Sequence, residues 1–243
     1  MPVKSEIWFD QIYVQQLLKP KRQSEAVLFL HGYPADEGSK NLDIAESLGG
    51  LPFDVYLIHY RGLGESYGKF SFLQSLEDVR NIIQKLDSFG YNTIHIVGHS
   101  WGGYLTLMNE DLWSSDSKIV LMSPFLSLPD GEALSALAHS VFTETKRHLK
   151  YSHVSDMIRD LEQLRSAGGT FSDFVRVGCR RSKQITILQA KNDIETPAHI
   201  AEEFCEAVGL AKNQHYLVES DHSFTGNRHL LVELIRDVLK ESR

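Results

Sequence analysis

Cysteine is scarce in this chain, with Cys179 and Cys205 the only two in 243 residues. Two thiols without metal-ligand spacing exclude a disulfide framework or a thiolate metal cluster, and they suit a reducing cytosol. Positive charge is also in short supply. The 25 Lys and Arg stand against 32 Asp and Glu, a net charge of −7, which argues against nucleic acid or an anionic membrane surface as a partner. The longest basic run, Lys19-Pro20-Lys21-Arg22, reads as a solvated turn. No apolar stretch approaches the roughly 18 residues of a membrane span, and Met1-Pro2-Val3-Lys4 opens no signal peptide. Internal repeats and low-complexity segments are missing as well. The expectation is a soluble, cytoplasmic protein that can bury an ample core as one large domain or two small ones. Nothing in the composition sets its oligomeric state.

What the chain does have is a rhythm. Short apolar runs recur at Ala26–Leu30, Val55–Ile58, Ile94–Val97, Ile119–Met122, Ile185–Leu188 and His215–Val218. Each is rich in β-branched or aromatic residues and apolar on both faces, as parallel strands buried between two layers must be. Helical spacings lie between them. Leu76, Val79, Ile82, Ile83 and Leu86 fall on one face, as do Leu230, Leu231, Leu234, Ile235 and Val238. Thr196-Pro197 reads as an N-cap and first-turn proline opening a helix to about Val208. Alternating strands and helices predict an α/β fold, a mostly parallel sheet with helices on both faces. Ile7 to Leu18 alternates more and predicts antiparallel strands at one edge.

From residue 125 to 183 the rhythm breaks. Two helical patterns stand there, one from about Gly131 to Lys150 and one carrying Val154, Met157, Ile158, Leu161 and Leu164 on a face, ended by Gly168-Gly169. The expected organisation is a core of 1–124 and 184–243 with 125–183 as a helical cap, or lid, inserted near the carboxyl ends of the strands where open α/β sheets bind ligands. The alternative is packing that merely extends the fold sideways.

The chemistry concentrates at Gly98-His99-Ser100-Trp101-Gly102, between the strand Thr93–Val97 and the helix beginning Gly103-Tyr104-Leu105. A serine on so sharp a strand-to-helix bend projects its hydroxyl above the sheet, and only small neighbours permit the bend. A serine hydroxyl needs a base, usually His, and that His needs a carboxylate to fix its tautomer. The acid candidate is Asp193, in Lys191-Asn192-Asp193-Ile194-Glu195-Thr196-Pro197; Glu195 and Asp221 compete with it. The base candidate is His222, in Glu219-Ser220-Asp221-His222-Ser223-Phe224. His31 and His99 read as supports of the turns they occupy, and His215 as a satisfied strand histidine. Two main-chain N–H groups must also face the oxyanion. Trp101 supplies one; in His31-Gly32-Tyr33-Pro34, where Pro34 cannot donate, Tyr33 is the natural second.

This set resembles the α/β-hydrolase superfamily: an elbow GHSWG, an oxyanion loop HGYP, an acid turn NDIETP and a histidine loop DHSF, in that family's order. Arg61-Gly62-Leu63-Gly64-Glu65-Ser66 is similar to a turn many members carry. The resemblance covers residues 24–240 apart from 125–183. Within the superfamily the chain looks like small relatives of the prolyl oligopeptidase and serine aminopeptidase catalytic domains. It departs from them in three ways: there is no β-propeller pattern, the oxyanion loop is neither HGGG nor HGGPG, and Tyr60 stands where many members have Asp.

The resemblance implies a serine hydrolase that needs no metal or organic cofactor and cleaves a small-molecule acyl ester or thioester. A peptidase or acyltransferase on the same residues stays open, as does a silent binding protein. A peptidase would need an acidic group for the substrate ammonium, with Asp130, Glu132 and Glu144 as candidates. Trp101 and Tyr33 border an acyl pocket or pack under the cap. Phe125, Leu126, Leu134, Leu137, Val141 and Phe142 line a cleft or belong to the core. Arg61 and Glu65 are expected to brace their turn, and both thiols to be inert.

Overall fold

Strand-forming residues that are apolar on both faces need cover on both, and the computed structural model, which describes residues 2–33, 42–145 and 149–240, provides it. Eight strands among those residues form one sheet: β1 (Val3–Phe9), β2 (Ile12–Leu18), β3 (Glu25–Leu30), β4 (Asp54–Ile58), β5 (Thr93–His99), β6 (Ile119–Met122), β7 (Ile185–Ala190) and β8 (His215–Val218). Their order is β1-β2-β4-β3-β5-β6-β7-β8. β3 to β8 pair in parallel, while β2 runs antiparallel to both β1 and β4. The chain thus has the α/β-hydrolase fold that its motifs imply. Alternation is confined to the edge strand β1; β2 is buried along almost its whole length.

The pleat sends alternate side chains into two separate cores. Ala26, Leu28 and Leu30 pack with α2 (Phe72–Ser88), α3 (Trp101–Met108) and the helices beyond, whereas Val27 and Phe29 pack with α1 (Leu42–Leu48) and α8 (Arg228–Lys240). α8 buries Leu231, Val232, Ile235 and Leu239. Leu230, expected on that face, lies one residue off the stripe and is exposed.

Among the described residues between β6 and β7 stand three α-helices where the sequence patterns predict two: α4 (Gly131–Thr145), α5 (Val154–Ser166) and α6 (Phe171–Arg181). α4 stops short of Lys150, whose N–H instead donates to Phe70 O at 2.7 Å, beside the bridge between Phe70 and Leu149. α4 and α5 pack on each other, and α5 packs on α2. Asp160 of α5 accepts bonds from Ser71 and Tyr151 hydroxyls, both at 2.7 Å, fixing the pair to the start of α2. α6 lies on α3 and on α7 (Ala198–Val208) in the core layer. It is short and buries only Phe174, Val177 and Gly178, so its periodicity is faint, but the capping box of Thr170 and Asp173 marks its start. Among the described residues no helix is long and apolar enough to cross a membrane.

Candidate active site

β5 delivers Ser100 to the carboxyl edge of the sheet, and the backbone turns there at φ 51°, ψ −114°. A side-chain-bearing residue in such a conformation costs on the order of 1–3 kcal/mol and persists only where its surroundings enforce it. Here the enforcement is visible. Ser100 N–H donates to Met122 O at 2.9 Å, while Ser100 O accepts from Gly103 (2.9 Å), Phe125 (3.0 Å) and Tyr104 (3.2 Å). The flanking glycines are required by contact, since a Cβ on Gly102 would sit 2.2 Å from Leu30 O and one on Gly98 2.6 Å from Thr106 Oγ1. Trp101 is the first residue of α3, so its N–H has no intrahelical acceptor.

The structure brings the acid and base candidates together. His222 Nδ1 donates to Asp193 Oδ2 at 2.7 Å, with both side chains buried. Asp193 also accepts the N–H groups of Glu195 (2.9 Å) and Thr196 (2.8 Å) on Oδ1, and the Thr196 hydroxyl on Oδ2 (2.8 Å). Burial alone would raise its pKa; the bonds from His222 and Thr196 outweigh it and hold the carboxyl down at about 2. The imidazole lies beside the elbow. His99, next to Ser100, donates from Nε2 to His222 O at 2.9 Å, and the two rings stand 4.8 Å apart. Burial, then the neighbouring His222, lowers the His99 pKa to about 3, so His99 is a neutral support.

Glu195 and Asp221 take other places. Glu195 Oε2 stands 3.4 Å from Nε2 of His222, the nitrogen opposite the one Asp193 holds. Asp221 bonds the N–H and hydroxyl of Thr225 at 2.8 and 2.6 Å and points into its own turn.

The loop after β3 abuts the elbow. A Cβ on Gly32 would meet His99 Nδ1 at 3.1 Å and Ser100 Cβ at 3.2 Å. His31 is buried, which lowers its pKa to about 4, and its carbonyl accepts the Tyr60 hydroxyl at 2.8 Å. Tyr60 therefore pins the loop from below, a role signalled in the sequence only by its departure from the family pattern. Tyr33 stacks on Phe72 at 4.9 Å, and its hydroxyl bonds Thr145 Oγ1 at the end of α4. Pro34 lies outside the described residues.

Trp101's indole is buried, stacked on Tyr104 at 4.4 Å, and donates to Ser75 Oγ at 3.0 Å. Leu126 and Leu134 belong to the core, with Phe125, Leu137, Val141 and Phe142 half-buried against it. Arg61 bonds Asp78 at 2.8 Å and Asp10 at 3.1 Å, bracing its turn without Glu65. His215, expected to be satisfied, leaves Nε2 without a hydrogen-bond partner. Burial pushes the Cys205 thiol up to about 12. Thr196, read as a helix cap, spends its hydroxyl on Asp193 and on Ser123 O (3.1 Å), and α7 starts after Pro197 instead. Among the described residues no cluster of His, Cys, Asp and Glu could hold a metal ion.

The profile of the alpha/beta hydrolase family matches residues 27–233. Epoxide hydrolase B of Mycobacterium tuberculosis is 34% identical over 85 residues, which cover 34% of this chain and 24% of that protein. The chain thus spans about a quarter of the length of the curated relative it matches. Several solved structures share the fold. Est1E from Butyrivibrio proteoclasticus with ferulic acid superposes at TM-score 0.67 and 17% identity, over 97% of each chain. The thioesterase domain from the curacin biosynthetic pathway gives 0.67 at 16%, over 97% of this chain and 99% of that one. XC6422 from Xanthomonas campestris, described as a serine hydrolase without lid, gives 0.64 at 15%, over 98% and 94%.

Proposed function

The chain belongs to the alpha/beta hydrolase family, and from that premise we propose that it is a serine hydrolase cleaving a small-molecule acyl ester or thioester. The observation that carries the reading is the buried 2.7 Å pair of His222 and Asp193 beside a serine held at positive φ. With Nδ1–H given to Asp193, the neutral imidazole offers Nε2 as the base. Ser100 Oγ attacks the acyl carbon as its proton passes to Nε2. The bond to the leaving oxygen or sulfur then breaks, and His222 returns the proton to the leaving group. Water, deprotonated by the same nitrogen, releases the acid and restores Ser100. Asp193, already ionised, stabilises the imidazolium in both halves. The Trp101 and Tyr33 N–H groups receive the oxyanion, each worth about 2.7–4 kcal/mol in the transition state.

We assign the cap to the 125–183 insertion, and within it to α4 and α5. The bond from Tyr33 to Thr145 supports this, since it ties α4 to the oxyanion loop. The test is a panel of esters, thioesters and aminoacyl amides of varied acyl size, run on wild type and Ser100→Ala, alongside labelling by a fluorophosphonate. Ester turnover with labelling at Ser100 is the expected result. Absence of labelling at neutral pH would favour a silent binding protein on this fold.

A further inference from the structure

His222 lies between two carboxylates. Asp193 holds Nδ1 from inside; Glu195 approaches Nε2 from the open side, its Oε2 3.4 Å away and its side chain 66% exposed. The turn fixes the backbone from which this side chain springs, because the Glu195 N–H donates to Asp193 Oδ1 at 2.9 Å. Ile194, its neighbour, is 91% exposed, so this side of the turn is open to an incoming molecule. Neighbouring cations are committed elsewhere: Lys191 pairs with Glu219 and Arg228 with Asp43. Among the described residues no Lys or Arg pairs with Glu195. In the neutral imidazole Nε2 is an acceptor. The Glu195 carboxylate thus stands exposed 3.4 Å from Nε2, open to a cation brought to that spot.

We propose that Glu195 sets specificity for a cationic leaving group, so that the preferred substrates are esters or thioesters of short amino alcohols or amino thiols. The inference rests on the serine-hydrolase reading above. Nε2 must come within about 3 Å of the leaving atom to protonate it. The Glu195 carboxylate, 3.4 Å from Nε2, then lies at most about 6 Å from that atom, within reach of an ammonium borne on a short leaving group. In the step itself the Ser100 Oγ–C bond forms, the bond from carbon to the leaving oxygen or sulfur breaks, and the serine proton travels through His222 to that atom. Glu195 changes no bond. It attracts the charge that departs.

The experiment uses two phosphonothiolates that differ only in leaving group, thiocholine or the neutral isostere 3,3-dimethylbutanethiol. Both phosphonylate Ser100, and intact mass gives each rate. The readout is the ratio of cationic to neutral rates within one protein, which cancels any general change at Ser100 or His222. Wild type should give a ratio on the order of fivefold at low salt, shrinking as salt rises. The ratio should fall to about one in Glu195→Gln and below one in Glu195→Lys. A wild-type ratio of one or less, or a ratio that survives Glu195→Gln, overturns the proposal. Failure of both reagents and of a neutral fluorophosphonate to label Ser100 would instead remove the hydrolase reading beneath it.

Discussion

Replacing Asp193 by Asn changes one oxygen to a donor and leaves the shape of the turn almost untouched. Oδ1 accepts the N–H groups of Glu195 and Thr196, so the amide oxygen must stay there to keep both bonds. That forces the new NH2 group onto the Oδ2 position, 2.7 Å from His222 Nδ1 and 2.8 Å from the Thr196 hydroxyl. The imidazole can then bond only by accepting at Nδ1, which moves its proton to Nε2. The nitrogen that should receive the serine proton already holds one. By analogy with the same change in serine proteases, turnover should drop by about 10⁴. Stability should fall much less. A carboxyl held at about 2 instead of its ordinary 3.8 corresponds to about 2 kcal/mol at neutral pH. That contribution is present above pH 4 and is lost as pH falls through 2, so the variant should lose less stability than wild type across that window. Turnover on the best ester from the panel and urea unfolding at pH 7 measure the two effects. If Asp193→Asn kept wild-type turnover while Glu195→Gln lost it, the roles assigned to the two carboxylates would be reversed.

Ser100→Ala should lower turnover by about six orders of magnitude with the fold retained by circular dichroism. Ser100→Gly, equally inactive, should unfold about 1 kcal/mol later than Ser100→Ala, because glycine relieves the φ of 51°; equal midpoints would show that the elbow stores no strain. Tyr60→Phe leaves the His31 carbonyl without its buried donor and should cost about 1–3 kcal/mol in chemical denaturation. A further loss should appear in kcat rather than KM, since the oxyanion loop is what Tyr60 holds. Burial keeps His31 and His99 neutral down to about 4 and 3, while in the unfolded chain both protonate near 6.5. Stability should therefore be complete above pH 6.5 and decline as pH falls toward 4, by about 1.4 kcal/mol per pH unit for each histidine. A thermal midpoint flat from pH 7 to 4 would contradict their burial as neutral groups.

The layered sheet could be read from the chain because its cause is local. A strand covered on both sides must be apolar on both, and the run Ile119–Met122 coincides with β6 to the residue; His215–Val218 likewise coincides with β8, although that strand lies at the sheet's edge with Leu217 exposed. The elbow was legible for a similar reason: Gly98 and Gly102 are demanded by contacts with Thr106 and Leu30 that any helix leaving β5 so sharply would make. α6 was harder to see because one of its three buried positions is Gly178. A Cβ there would meet Val208 Cγ2 at 2.4 Å. Close packing against α7 removed the apolar signal that periodicity needs.

The acid turn shows where a finer reading of the sequence had more to give. Asp193 and Glu195 both reach His222, and their spacing alone does not separate them. Side-chain length does. An Asp carboxylate is short enough to accept the N–H groups of the second and third residues after it, and Asp193 does so with Glu195 and Thr196. That closure faces its remaining oxygen toward Nδ1 and fixes the direction of the turn. A Glu at the same position would need an extra methylene folded back to make those bonds, at the cost of rotamer freedom. Glu195, two residues on and outside the closed loop, is left with its carboxylate on the far side of the imidazole, where it meets Nε2 and whatever leaves from it. Asp193→Glu should therefore fail to restore activity even though it keeps the charge. Its turnover should stay within about tenfold of Asp193→Asn, and wild-type activity in Asp193→Glu would show that charge near Nδ1, and not the closed turn, is what the site requires.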